Sequence, residues 1–253
     1  MNKVSFLFLS ISFLLSDQPF KLMSFNIQGF NSKKNFLKVS KIIDEVKEFD
    51  ILSLQENWFF NDFLIRKIKN FNFILDDSRN IFNSTGLSII LNKSIDVVEY
   101  EIINFSNCHG FFFNGSDCLA SKGFIFARIN LSNEIIDLYN THLDSGNSKK
   151  DILIREMQLN ELKNYIKSKK ISYPLIVVGD FNIDYNSNEQ NVIKNFMNYF
   201  NLELIEWEEE YFLKNKVDYI FSNKVKSHYK WSINNNLYNI SDHPPMPSII
   251  ELK

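Results

Sequence analysis

Two short segments carry residue types that do chemistry together. In 175–182 a run of four apolar residues, Leu175 to Val178, meets Gly179 and then Asp180 and Asn182. Glycine permits a tight exit from a strand, and residues two apart share one face in extended geometry. A carboxylate beside an amide can hold a water or a cation and offer a hydrogen bond to an anionic oxygen. Near the C-terminus, Ser241-Asp242-His243 places a carboxylate next to an imidazole. That pair supplies a metal-binding oxygen and a general base titrating near neutrality. Each segment alone also fits an ordinary turn.

Further groups join them. Asp218 interrupts the apolar run 217–221; a charge there is costly unless paired, and His243 is a fitting partner. His142 follows the apolar run 135–139, and a lone histidine at a strand end is also commonly structural. Glu56 ends Ile51-Leu52-Ser53-Leu54-Gln55-Glu56 and is a candidate metal carboxylate. Asn26 lies inside an apolar run and needs a partner, for which a hydrated cation is suitable. These are hard oxygen donors without cysteine. They point to Mg²⁺, with Mn²⁺ or Ca²⁺ as alternatives, and disfavour zinc.

The elements that must position these groups are legible as patterns. Apolar runs at 20–27, 51–54, 86–91, 123–129, 135–139, 175–178 and 217–221 predict strands. Periodic stripes at 35–49, 151–167 and 191–200 predict helices; in 151–167 the stripe is Ile152, Ile154, Met157, Leu159, Leu162 and Ile166. Pro174 marks the join between the long helix and the next strand. Strands and helices interleave without a repeat or linker, which predicts one α/β domain over 17–253. The chemical residues fall at strand ends, so distant parts of the chain can converge on one rim.

Composition narrows the class. The 253 residues carry a net charge of −2, so there is no global attraction to a polyanion. Residues 1–16 read as a signal peptide: Lys3 is followed by an apolar run, 4–15, of about a dozen residues, shorter than the ~20 that span a bilayer. Export is therefore expected. Cys108 and Cys118 are the two cysteines, and in an exported chain a close pair suggests a disulfide. Asn83, Asn92, Asn104, Asn114, Asn130 and Asn239 open glycosylation sequons, compatible with export in a chain rich in asparagine.

Taken in order, FNIQ, LQEN, NTHLD, VVGDFN, VDYIF and SDHPP resemble the motif series of the endonuclease/exonuclease/phosphatase superfamily, the deoxyribonuclease-I-like fold, from Phe20 to Pro247. The resemblance implies a four-layer α-β-β-α sandwich with two packed mixed sheets and hydrolysis of phosphodiesters with a divalent cation. By resemblance, Asn26 and Glu56 match metal-binding positions, with Asp242 close by. His142, as a protonated donor, and Asn182 match groups on the scissile phosphate. Asp180 matches the carboxylate that positions or activates water, and His243 the general base oriented by Asp218.

One stretch bears on the substrate. Asp117-Cys118-Leu119-Ala120-Ser121-Lys122-Gly123 looks like a segment of neutral sphingomyelinases in which the Asp and Lys act near the substrate phosphate or headgroup. It equally suits a turn into an antiparallel strand. The aromatic triplets Trp58-Phe59-Phe60 and Phe111-Phe112-Phe113 suit either a lipid interface or the core. The chain departs from bacterial sphingomyelinases in two places. Residues 207–216, before the Asp-Tyr strand, are short and acidic where those enzymes have a long aromatic hairpin. His142-Leu143-Asp144-Ser145-Gly146 resembles the His-Leu-Asp-Ala-Gly form of related exported members instead of their His-Leu-Gln. The expected substrate is sphingomyelin at a membrane surface, giving ceramide and phosphocholine, with the protein a monomer. Nucleic acid is the alternative substrate. A non-catalytic binding module on the same fold is disfavoured, because a pure binder need not keep every catalytic group.

Overall fold

Strand β8 (Leu175–Asp180) shows how the sequence makes the architecture. Its side chains alternate between two apolar layers: Ile176 and Val178 point into one core, Leu175 and Val177 into another. A strand covered on both faces reads as a continuous apolar run rather than an alternating one. The same division holds in β1 (Phe20–Asn26), where Leu22 joins the first core and Met23 and Phe25 a third.

The computed structural model describes residues 19–29, 33–76, 84–111, 117–170, 172–205, 217–230 and 237–253. The other elements are α1 (Lys33–Val46), β2 (Ile51–Gln55), α2 (Asn61–Lys67), β3 (Phe71–Leu75), β4 (Ser88–Asn92), β5 (Asp96–Asn104), β6 (Gly123–Leu131), β7 (Glu134–His142), α3 (Lys149–Ser168), α4 (Gln190–Phe200), β9 (Glu203–Leu204), β10 (Asp218–Ser222), β11 (Val225–Lys230) and β12 (Met246–Leu252). They form two six-stranded sheets, ordered β11-β12-β1-β2-β4-β3 and β5-β6-β7-β8-β10-β9. Each is mixed: β1–β2 and β7–β8 run parallel, the other pairs antiparallel.

Three cores separate four layers. The central core draws Leu22, Ile51 and Ile89 from the first sheet and Ile125, Ile136 and Val178 from the second. Val39 and Ile42 of α1 and Leu64 of α2 cover the outer face of the first sheet with Met23 and Phe25. Leu159 and Leu162 of α3 and Ile193 and Phe196 of α4 cover the second with Tyr139 and Val177. This is the expected α-β-β-α sandwich.

The structure revises some boundaries. Helix α3 begins at Lys149 because Ser148 caps it, with Asp151 closing a capping box. Its buried face keeps only the second half of the predicted apolar stripe. Asp151, Arg155 and Gln158 are buried with Leu159, Leu162 and Ile166, while Met157 and Leu153 are exposed. The signal peptide, residues 207–216, Phe112, Phe113, Asn83 and Asn114 lie outside the described residues. Cys108 and Cys118 form the expected disulfide, their Cα atoms 5.3 Å apart.

Candidate active site

Strand register brings the chemical residues to one rim. Asn26 pairs with Gln55 at the ends of the parallel strands β1 and β2, and Glu56 follows. His142 pairs with Asp180 at the ends of the parallel strands β7 and β8, and Asp218 faces Asp180 across the antiparallel β10. The loop before β12 brings in Asp242 and His243. Gly179 permits this crowding: with φ at +139° it lies where L-residues rarely go, and a Cβ there would run into the Thr141 carbonyl oxygen.

Asp180 is the focus. It is buried, and its Oδ2 accepts from Asn26 Nδ2 at 3.0 Å. The same oxygen lies 3.4 Å from His142 Nε2 and 3.7 Å from His243 Nε2. Asn26 Nδ2 also lies 3.3 Å from Glu56 Oε1, so one amide bridges a carboxylate from each sheet. Glu56 adopts φ +57°, a costly conformation for glutamate that persists where surroundings impose it, commonly at functional sites. Its carbonyl accepts from Gly29 N at 2.9 Å.

His243 is held from behind. Its Nδ1 lies 2.7 Å from Asp218 Oδ2, the pairing that the isolated charge at 218 called for. Burial alone would lower the His243 pKa, but the charge and hydrogen bond of Asp218, then Asp180 and Asp242, raise it to about 10. Burial pushes Asp180 and Asp218 above the usual carboxylate range; Asp218 adds to the effect on Asp180, and His243 opposes both shifts. Glu56 is also raised by burial, against the pull of Lys122 and Asn26. Two buried carboxylates and the half-buried Glu56 thus crowd together with less positive charge than they call for.

That arrangement fits a hard cation. Among the described residues, Asp180, Asp218 and His243 place ligand atoms within 4.8 Å of one another. Asp218 Oδ1 is buried without a hydrogen-bond partner, a deficit that metal coordination removes. Of the predicted metal group, Asn26 and Glu56 adjoin this cluster. Asp242 is exposed, 3.4 Å from Gln28 Nε2.

The other half of the cluster is built from the second sheet. Lys122 is buried; its Nζ donates to His142 Nε2 at 2.7 Å and pairs with Asp117 Oδ1 at 3.4 Å. Burial first, then Lys122 and His243, hold the His142 pKa well below its usual value. That favours the neutral imidazole at the position the sequence assigned to a protonated donor. Lys122 Nζ stands beside the same ring, within reach of both of its nitrogens. Asn182 is not extended from Asp180 as expected. It adopts φ +52°, its N–H donates to Asp180 Oδ1 at 2.9 Å, and its side-chain amide donates to the Leu143 carbonyl at 2.9 Å.

Sequence reasoning passed over Ser145, whose N–H and hydroxyl donate to Asp117 Oδ2 at 3.1 and 2.8 Å, and the buried Arg155 behind it. The available signal was Arg155 itself, a charge four residues before Leu159 on the packed face of α3.

Residues 23–243 match the Endonuclease/Exonuclease/phosphatase family. The chain belongs to that family. Sphingomyelinase C 2 of Leptospira interrogans serogroup Icterohaemorrhagiae serovar Lai is 29% identical over 172 residues, 62% of this chain and 27% of that protein. The chain thus spans about a quarter of that relative's length. The crystal structure of SmcL superposes with a TM-score of 0.69 at 18% identity, covering 92% of this chain and 99% of the other. A Staphylococcus aureus beta toxin double mutant with bound magnesium ions gives 0.68 at 19% identity, covering 92% and 99%. Both likenesses establish the fold.

Proposed function

We propose that this chain is an exported, divalent-cation-dependent phosphodiesterase, and that its substrate is sphingomyelin, cleaved to ceramide and phosphocholine. The observation that carries the chemistry is the convergence on Asp180 of Asn26, His142 and His243 from three separate elements within 3.7 Å. A group that accepts protons stands beside one that moves them, backed by a crowded carboxylate cluster. The substrate rests on the sphingomyelinase relative and on Asp117 and Lys122 lining the phosphate side. The apolar N-terminal run and the disulfide support export.

Glu56, Asn26, Asp180 and Asp218, with Asp242 nearby, would hold Mg²⁺; Mn²⁺ or Ca²⁺ suit the same oxygens. Bound there, the cation would supply charge neutralisation at the phosphate. Asp180 and His243 are close enough to share one water. His243 would accept its proton, and the Asp218 carboxylate would stabilise the imidazolium that results. Lys122 and Asn182 would meet the phosphate oxygens as charge develops. The neighbouring carboxylates favour the protonated form of His243; a cation held among them would favour its neutral, basic form.

Phe59 and Phe111 are exposed, whereas Phe60 is core and Trp58 packs on Gly86. The two exposed rings suit contact with a lipid surface.

The deciding experiment runs sphingomyelin vesicles and supercoiled plasmid side by side with Mg²⁺ and with EDTA. Phosphocholine release that needs Mg²⁺ and is lost in Lys122→Ala supports the proposal. Plasmid nicking without phosphocholine release overturns the lipid reading in favour of a nuclease.

A further inference from the structure

Arg155 is the largest fully buried side chain among the described residues, and it touches none of the reacting groups. It grips Glu189 with both ends of its fork, Nε to Oε1 at 3.0 Å and Nη2 to Oε2 at 2.6 Å. Its remaining nitrogen, Nη1, reaches three successive carbonyls: Asp144 at 3.2 Å, Ser145 at 3.2 Å and Gly146 at 2.6 Å. Burying a guanidinium is costly even when paired. An apolar side chain at 155 would pack against the second sheet as Leu159 and Leu162 do. An arginine here gains something a leucine does not, a fixed course for residues 144–146.

Those residues hold the phosphate side. The Leu143 carbonyl just before them fixes the Asn182 amide. Ser145 anchors Asp117 through its N–H and hydroxyl, and Asp117 in turn pairs with Lys122, whose ammonium contacts His142. Gln158 adds a second hold, accepting from Asp144 N at 2.9 Å and donating to Asp144 Oδ1 at 2.7 Å. Two of the four proposed cation ligands, Asn26 and Glu56, stand on the other sheet; the other two, Asp180 and Asp218, are set by the β7–β8–β10 pairing and take no hydrogen bond from Arg155.

We propose that Arg155 and Glu189 form a positioning clamp that sets Lys122 and Asn182 through the 143–146 segment. The clamp serves the donors that meet the phosphate, and not the cation site. The inference rests on the phosphodiesterase reading but not on the identity of the lipid, so its test uses a small soluble ester.

The experiment measures kcat, KM and the Mg²⁺ activation midpoint on bis(4-nitrophenyl) phosphate for wild type, Arg155→Lys and Ser145→Ala. Lysine keeps the charge but lacks the fork. Misplacement of about 1 Å at a remote support can cost roughly 10²-fold, so Arg155→Lys is expected to lose on the order of 10²-fold in kcat, with the Mg²⁺ midpoint unmoved. Ser145→Ala, at a loop position that does not hold the core together, is expected to show the same split more weakly and keeps the test alive if Arg155→Lys does not fold. In a cycle with Lys122→Ala, the Ser145→Ala effect is expected to vanish, because coupled residues are not additive. Unchanged kcat in folded Ser145→Ala, additive losses with Lys122→Ala, or an equal shift in the Mg²⁺ midpoint overturns the clamp. If wild type turns over no phosphodiester, the functional reading fails by itself. The clamp is then decided by calorimetric binding of inorganic phosphate. Loss of one charged hydrogen bond predicts on the order of tenfold weaker binding in Ser145→Ala, and equal affinity overturns it.

Discussion

Gln55 and Asn140 meet across the two sheets: Gln55 Nε2 donates to Asn140 Oδ1 at 2.7 Å, and both side chains are fully buried. Asn140 Nδ2 continues to the Leu54 and Ser88 carbonyls at 2.9 and 3.1 Å. Gln55 precedes Glu56, and Asn140 lies two residues before His142, so this bond fixes the spacing between the Glu56 and His142 ends of the rim. Asn140→Leu strands several buried polar groups at about 1–3 kcal/mol each. It should lower the urea midpoint and reduce turnover; a variant with wild-type stability would show that the sheets are registered by the apolar core alone.

Much of this was readable in the sequence, for a physical reason. Strands covered on both faces are largely apolar runs, so 51–54, 123–129 and 175–178 announced themselves, and the chemical residues at their ends came with them. Strand β5 did not, because as an edge strand it exposes Val98, Glu99, Tyr100 and Glu101 and carries little burial signal. His243 and Asp218 could be paired from the cost of a lone charge in an apolar run. The lowered pKa of His142 could not, since it depends on the ring's complete burial and on Lys122 reaching it from the start of β6. Nor could the role of α3, whose packed face holds an arginine and a glutamine where an apolar stripe was expected.

His243→Ala removes the proposed base and should cost about 10²–10⁴-fold in kcat with little change in stability. Asp218→Asn should lose much of the same factor by releasing the imidazole. Near-normal hydrolysis by His243→Ala, measured as phosphocholine release or on a soluble ester, would sink the assignment.

Gly179→Ala tests the rim. Its φ of +139° and the Thr141 carbonyl leave no room for a methyl group, so the β7–β8 pairing must shift exactly where His142 and Asp180 emerge. Substitution at an incompatible backbone position should cost more than about 1 kcal/mol, and activity should fall further than stability alone explains. A thermal midpoint equal to wild type would refute the strain argument.

The Cys108–Cys118 bridge closes a short loop that carries Asp117 and, through His109 N, bonds Asp144 Oδ2 at 2.7 Å. Cys108→Ser with Cys118→Ser should cost about 2–4 kcal/mol in stability. Activity should fall as well, because Asp117 loses its tether. Full activity in the double variant under conditions where it is folded would show that Ser145 and Lys122 hold Asp117 unaided.

Asp151 gives a pH-dependent test at the start of α3. Burial would raise its pKa, but His109 and Ser148 outweigh that and lower it; its Oδ1 lies 2.6 Å from His109 Nδ1 and its Oδ2 accepts from Ser148 N at 2.7 Å. A carboxylate lowered by folding contributes stability that is present above its unfolded pKa, near 3.9, and is lost as pH falls through the lower folded value. Asp151→Asn should therefore destabilise by about 1 kcal/mol at neutral pH, the usual worth of a capping interaction. The gap to wild type should narrow below about pH 4. Urea unfolding at pH 7 and pH 3 decides it: a gap that stays constant would show that the charge of Asp151 adds nothing to the cap.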